Sequence, residues 1–378
     1  MVIYLILLAL LCLTSVKISL GNGFNDYMSP RETGAIKGVF VIIVLLSHIR
    51  QYVHLEASPF NTPYSEFMAY LGQLMVVMFL FYSGYGVALG IQNKEGYIRS
   101  LPIKRAFKVF LHFALAVLLF AAVSFCLGKE VTLKKLLRSF LGLDAFGNSA
   151  WFIFVIVILY LLTFAAFVFI GKNHMIAGTA VTTLLCAAAV LVIRAWKGSD
   201  YWWYDTIMCY PLGMWFALAK PRIDKLILPD FSKWFACTAS VAVIFSFLKY
   251  LMPCYGNTRR LFIPASLFFA LLIVLISMRV KIGNDVLCWF GKRVFGIYIL
   301  QRIPMMLLSH FGANEKPFLF TAAVFALTIV IAEIFERATD KLDIALHLSK
   351  KKTSKPIGEK ENESRKFQNI CRKKRVIC

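Results

Sequence analysis

Arg31-Glu-Thr-Gly-Ala-Ile-Lys37-Gly-Val-Phe-Val-Ile-Ile-Val-Leu-Leu-Ser-His48-Ile-Arg50 is the stretch on which the fold turns. Between Lys37 and His48 it carries no charge and is almost wholly apolar, yet an ionisable group stands at each end. At about 100° per residue, eleven residues make three helical turns plus roughly 20°, so both side chains project from one face, about 16 Å apart along the axis. Ionisable groups next to hydrocarbon are costly unless they face a polar cavity or a partner. The stretch therefore predicts a helix lining a water-accessible cavity inside a membrane bundle. On residue types alone, a structural histidine and a snorkelling lysine fit as well.

The rest of the chain has the same character. Of 378 residues, 59% are hydrophobic, against about 45–50% in soluble globular proteins, and mean hydropathy is +0.70. A single soluble core cannot hide that excess, because cores stop growing well below this chain length. Disorder, collagen and a disulfide-rich scaffold are excluded on the same composition. Apolar runs recur at 2–20, 35–49, 67–91, 109–127, 150–170, 175–193, 206–219, 234–251, 261–278, 294–309 and 318–335. A spanning helix needs about 20 such residues, so the fold class expected is all-α, a polytopic transmembrane helical bundle. The runs 35–49 and 294–309 are short with charged ends, as suits helices facing an internal cavity.

Charge sets the orientation. Lys and Arg number 42 against 20 Asp and Glu. With the N-terminus outside, the predicted cytoplasmic segments hold the larger share of these cations, whereas the opposite topology inverts the positive-inside bias. Residues 1–29 read as an additional N-terminal transmembrane helix and linker, 30–340 as the membrane domain, and 341–378 as a basic, disordered cytoplasmic tail drawn to anionic lipid. The basic residues lack interleaved aromatics, so nucleic acid is not an expected partner. The nine cysteines form no CxxC pair and read as small apolar fillers. The histidines show no metal spacing, and no metal is expected.

Further motifs follow in order: Met78-Phe-Leu-Phe-Tyr-Ser83-Gly84-Tyr85, the basic stretch Arg99-Ser-Leu-Pro-Ile-Lys104-Arg105-Ala-Phe-Lys108, Asn148-Ser-Ala-Trp151-Phe152, Tyr210-Pro-Leu-Gly213-Met214, and Gly296-Ile-Tyr298-Ile-Leu-Gln301. With Lys37-x10-His48 in place of an Arg-x10-His signature, the series resembles the acyltransferase 3 family of integral membrane acyltransferases over residues 30–340. The resemblance implies a ten-helix acyltransferase core, with the helix at 2–20 as an extra. It also implies transfer of an acyl group from acyl-CoA, with no tightly bound cofactor, onto a hydroxyl, often of a surface glycan or its lipid-linked precursor, in the cytoplasmic membrane.

On that resemblance His48 is the expected catalytic base, because an imidazole titrates near neutral pH and can take a hydroxyl proton. Lys37 is expected to orient donor phosphate or to stabilise negative charge. Arg99, Lys104, Arg105 and Lys108 are candidates for the phosphates of coenzyme A. Ser83 and Tyr85 are candidate substrate contacts, although Ser-Gly in a membrane helix also permits close helix packing. Asn148 and Trp151 are further candidates, with Trp151 either stacking on a sugar or anchoring at the interface. Tyr298 and Arg302 complete the set, with Glu333 as a candidate partner for Arg302. Two departures stand out: Lys37 lacks the planar fork of arginine, and Gln301 stands where the family has a late histidine. A transporter or flippase with a basic cavity, and acyl transfer to a small molecule or amine, are the alternative readings.

Overall fold

The structure, a computed structural model, describes residues 1–254 and 261–348. Its regular secondary structure is helical apart from one two-residue strand pair among those residues. Seven helical stretches are long and apolar enough to cross a membrane, and several shorter apolar helices accompany them. The chain is a multi-pass membrane protein. Residues 1–339 form one compact unit, and a second begins at Asp340.

Helix α2 (Pro30–Ile49) lies at the centre. Its start is specified locally: the Ser29 side chain accepts from the Glu32 amide, Pro30 occupies the first turn and Glu32 faces the positive helix end, a capping arrangement. Of its apolar window 72% is buried, against 6% for the peripheral helix α11 (Phe231–Cys254). Hydrophobicity alone does not separate the two. Glycine does. A Cβ on Gly38 would meet the Leu287 carbonyl, and one on Gly291 the Gly34 carbonyl. Helix α13 (Asp285–Lys292) therefore lies directly against the backbone of α2, as small-residue spacing permits in membranes.

A second crossing of the same kind joins α4 (Leu74–Asn93) to α10 (Cys209–Ile227). Gly84 faces the Tyr210 carbonyl and Gly213 the Phe81 carbonyl. The run expected at 67–91 is divided between α3 (Thr62–Leu71) and α4, with Gly72 at φ +48° between them. Irregular backbone at membrane depth is stable where it borders a polar cavity, and Gly72 and Gln73 do border one. The run at 294–309 is likewise divided, into α14 (Val294–Leu300) and α15 (Arg302–His310), with Gln301 between them.

Some elements differ from expectation. The run at 2–20 contains α1 (Val2–Leu13), 12 residues long and so about 18 Å, short of the ~30 Å hydrocarbon core. Lys17–Ile18 (β1) then pairs antiparallel with Val280–Lys281 (β2). Helix α5 (Tyr97–Leu101) continues through a π-helical turn, Pro102–Phe107, into α6 (Lys108–Cys126). An amphipathic α7 (Leu133–Phe140) precedes α8 (Trp151–Ile170) and α9 (Met175–Lys197). Helix α12 (Phe262–Ser277) and α16 (Pro317–Ala345) complete the set, and α16 runs on into the segment expected as tail. The rest of that expected tail, from residue 349, lies outside the described residues.

Candidate active site

His48 stands one position before the end of α2 and borders a chamber with two lobes of about 510 and 570 Å³. Both lobes are lined by His48, Gln51, Gln73, Trp151 and Trp202. Tyr70, Tyr201 and Tyr298 add aromatic wall to one, and Asn148 and Arg302 polar wall to the other. The walls carry an excess of unused hydrogen-bonding capacity. Gln73 Oε1, His48 Nδ1, Tyr298 Oη, Asn148 Nδ2 and Arg302 Nε are all buried without a protein partner. Buried polar atoms are normally satisfied, and these five belong to residues that line the chamber.

Lys37 borders a different cavity, of about 340 Å³, together with Arg105 of the π-helical turn, Lys292, Ser83 and Tyr160. None of Lys37, Arg105 and Lys292 has a carboxylate partner among the described residues. Arg105 donates from Nε to Tyr97 Oη at 3.3 Å. The three make this cavity cationic. A π-helical turn, often found at functional positions, is the element that carries Arg105.

The two cavities share a wall. Tyr298 lines both the Lys37 cavity and one lobe of the His48 chamber. Its ring lies 5.3 Å from Phe152, which itself faces the Lys37 cavity. One face of α2 thus presents Lys37 to a cationic cavity and His48 to a polar one, with an aromatic partition between.

The sequence candidates distribute unequally. His48, Tyr298, Trp151, Asn148 and Arg302 gather at one chamber, and Lys37, Arg105 and Ser83 at the other cavity. Ser83 Oγ is 2.8 Å from Tyr160 Oη at the wall of the Lys37 cavity, while its neighbour Gly84 makes the helix crossing. Tyr85 is not at either cavity: two residues on from Ser83 it points about 200° around the helix, where its ring packs against Phe216. Arg99 sits before the π-helical turn and borders a separate depression with Lys94 and Lys172. Lys104 is exposed, and neither it nor Lys108 lines the Lys37 cavity. Of the basic stretch, only Arg105 joins Lys37.

Arg302 also has a different partner from the one expected. Its Nη2 donates to Gln51 Oε1 at 2.7 Å, while Glu333 pairs with Arg293 and Arg337. Gln301 is fully buried and donates to the Tyr298 carbonyl at 2.9 Å, with its side chain beside His48. Sequence reading missed Gln51, Gln73, Lys292 and Trp202. Gln51 was legible in principle, since it follows His48 by only three residues in the turn that ends α2; the others come together only through tertiary packing.

A family model described as an acyltransferase domain matches residues 34–337, most of the chain. No curated protein and no solved structure shows a significant match. The matched region contains both glycine crossings, the Lys37 cavity and the His48 chamber. This chain belongs to the acyltransferase 3 family and is a membrane acyltransferase.

Proposed function

We propose that this acyltransferase moves an acetyl or other small acyl group from acyl-CoA to a hydroxyl of a surface glycan or its lipid-linked precursor. The observation that carries the reading is the shared Tyr298 wall between a cationic cavity and a polar, aromatic chamber. Coenzyme A is polyanionic at one end and carries its thioester at the other. Lys37, Arg105 and Lys292 supply charge-assisted contacts for phosphate. The thioester then reaches past Tyr298 to His48. Acceptor hydroxyls take up the hydrogen-bonding atoms left free around His48, and sugar faces lie on Trp151, Tyr201 and Trp202.

In the reaction, the His48 imidazole accepts the proton of the attacking hydroxyl as its oxygen bonds to the thioester carbonyl carbon. The tetrahedral intermediate collapses with cleavage of the C–S bond, and the imidazolium returns its proton to the departing thiolate. Arg302, held by Gln51, contributes positive charge to the chamber during this step. In the bacterial cytoplasmic membrane, with the N-terminus outside and the tail inside, the Lys37 cavity faces the cytoplasmic donor and the His48 chamber the outer acceptor.

Membranes carrying the protein, given acetyl-CoA labelled in the acetyl group, are expected to pass label into polysaccharide or its lipid-linked form. His48→Ala at equal abundance is expected not to. Transfer by His48→Ala at the wild-type rate overturns the base assignment, and uptake of glycan without label transfer favours a flippase.

A further inference from the structure

Gln301 is fully buried at the junction of α14 and α15. Three residues after Tyr298 and one before Arg302, it stands between two side chains that wall the His48 chamber. Its amide is anchored at one end, where Nε2 donates to the Tyr298 carbonyl at 2.9 Å. The other end, Oε1, is buried without a hydrogen-bond partner. The Tyr298 ring lies 6.4 Å from that of His48, and the Gln301 side chain lies beside the imidazole.

The two ring nitrogens of His48 are not equivalent. Nδ1 is buried and, like Gln301 Oε1, without a partner, whereas the ring itself lines both lobes of the chamber. An unmatched acceptor and an unmatched ring nitrogen therefore lie on neighbouring buried side chains, and each costs free energy until it is paired. A neutral imidazole carries a proton on one nitrogen and a lone pair on the other, and the hydrogen bond made by the first decides which is which. With the proton on Nδ1, Gln301 Oε1 can accept it, and the lone pair is on Nε2. With the proton on Nε2, two acceptors are left together in a buried place, and the ring offers the chamber a donor where a base needs an acceptor.

The partner's lack of charge matters as well. A carboxylate in place of this amide would also orient the ring, but its charge would favour the imidazolium. The charged side chains that line the chamber are Arg302, Asp144 and Lys249, with Tyr70, Tyr201 and Tyr298 as titratable hydroxyls, and Asp144 faces Arg138 at 3.8 Å. A neutral amide selects the tautomer and leaves the imidazole free to act as a base. We propose that Gln301 is a positioning residue, whose side-chain carbonyl accepts from His48 Nδ1–H and so turns the Nε2 lone pair toward the attacking hydroxyl. The hydroxyl at the end of this chain rests on the reading of His48 as the base; the Gln301–His48 hydrogen bond does not.

Nuclear magnetic resonance of the full-length protein in nanodiscs, with its histidines labelled with nitrogen-15, reads the tautomer without catalysis. The His48 signals are those lost in His48→Gln. At about pH 8, above the ordinary imidazole range, wild type is expected to carry the proton on Nδ1 and to leave Nε2 bare. Gln301→Met, close in length and volume but without a carbonyl, is expected to lose that preference. In steady-state acyl transfer the same variant is expected to lower kcat by at least about tenfold, because the wrong tautomer turns a donor toward the hydroxyl, with the KM for acyl-CoA within about threefold of wild type. A wild-type ring protonated on Nε2 overturns the proposal, and that result needs no variant to fold. An unchanged tautomer or an unchanged kcat in Gln301→Met overturns it too. Undiminished transfer by His48→Ala removes the base and leaves the tautomer result standing; an Nε2–H ring in an enzyme that depends on His48 removes the role of Gln301 and leaves the base.

Discussion

The rings of His48 and Tyr298 lie 6.4 Å apart, centroid to centroid, with their planes tilted by 54°. Of the two, only Tyr298 also borders the cavity of Lys37 and Arg105. Its side chain is 4% exposed, so it is both a fixed wall and the place where the cavities come closest. The proposed proton transfer at His48 and the proposed donor binding at Lys37 therefore fall at different cavities on one helix, and single substitutions are expected to separate them.

Loss of the imidazole is expected to act on the chemical step. His48→Ala and His48→Gln are each expected to lower kcat for acyl transfer by about 10²–10⁴-fold, the usual worth of a positioned general base, with the KM for acyl-CoA within about threefold of wild type. A steady-state titration of acyl-CoA checks both parameters. A KM effect with unchanged kcat assigns His48 to binding instead.

Donor binding reads out at the other end of α2. Lys37→Met combined with Arg105→Met removes two of the three unpaired cations of that cavity and is expected to raise the KM for acyl-CoA at least tenfold, since charge-assisted phosphate contacts are among the stronger polar interactions. Lys37→Arg keeps the charge and is expected to retain most activity. Lys104→Ala, at an exposed position away from the cavity, is expected to leave that KM unchanged. Equal KM values across the series show that these charges do not meet the donor.

How much of this was legible beforehand depended on the range of the signal. The eleven-residue step from Lys37 to His48 is local, and the helix period fixed their common face. Hydropathy located most spans for the same reason, since lipid solvates each helix separately. What failed was non-local. The basic stretch 99–108 reads as one cluster, but the π-helical turn sends Arg105 to Lys37 and leaves Arg99 in another depression. Glu333 reads as a counter-ion for Arg302 until Arg293 and Arg337 claim it. Nothing within the run 2–20 announces that Lys17–Ile18 pairs with residues more than 250 positions away.

The aromatic partition implies a limit on the acyl group. Phe152 lies 5.3 Å from Tyr298 and 6.2 Å from Phe79, so the space beside the proposed thioester position is bounded by rings. Phe152→Ala removes one of them and is expected to raise the butyryl-to-acetyl ratio of kcat/KM by about tenfold, in the range that one or two methylenes command in an apolar pocket. Competition between acetyl-CoA and butyryl-CoA in one reaction measures the ratio directly. An unchanged ratio places the acyl chain elsewhere.

The glycine crossings supply a prediction about stability that is independent of chemistry. A Cβ at Gly213 would meet the Phe81 carbonyl and one at Gly84 the Tyr210 carbonyl; both obstacles are helix backbone and neither can rotate away. Gly213→Ala therefore has to push α10 from α4, and overpacking of this kind costs about 1–3 kcal/mol. Gly86 lies one residue beyond Tyr85 on α4, and a Cβ there would have nothing within 4 Å, so Gly86→Ala carries no such cost. Thermal unfolding of the detergent-purified variants is expected to show a lowered midpoint for Gly213→Ala and Gly84→Ala, and a midpoint at or above wild type for Gly86→Ala. Because α4 carries Ser83 and borders both cavities, loss of the crossing should also reduce acyl transfer at temperatures where the protein remains folded. Equal midpoints for all three would mean that α4 and α10 do not touch through their backbones.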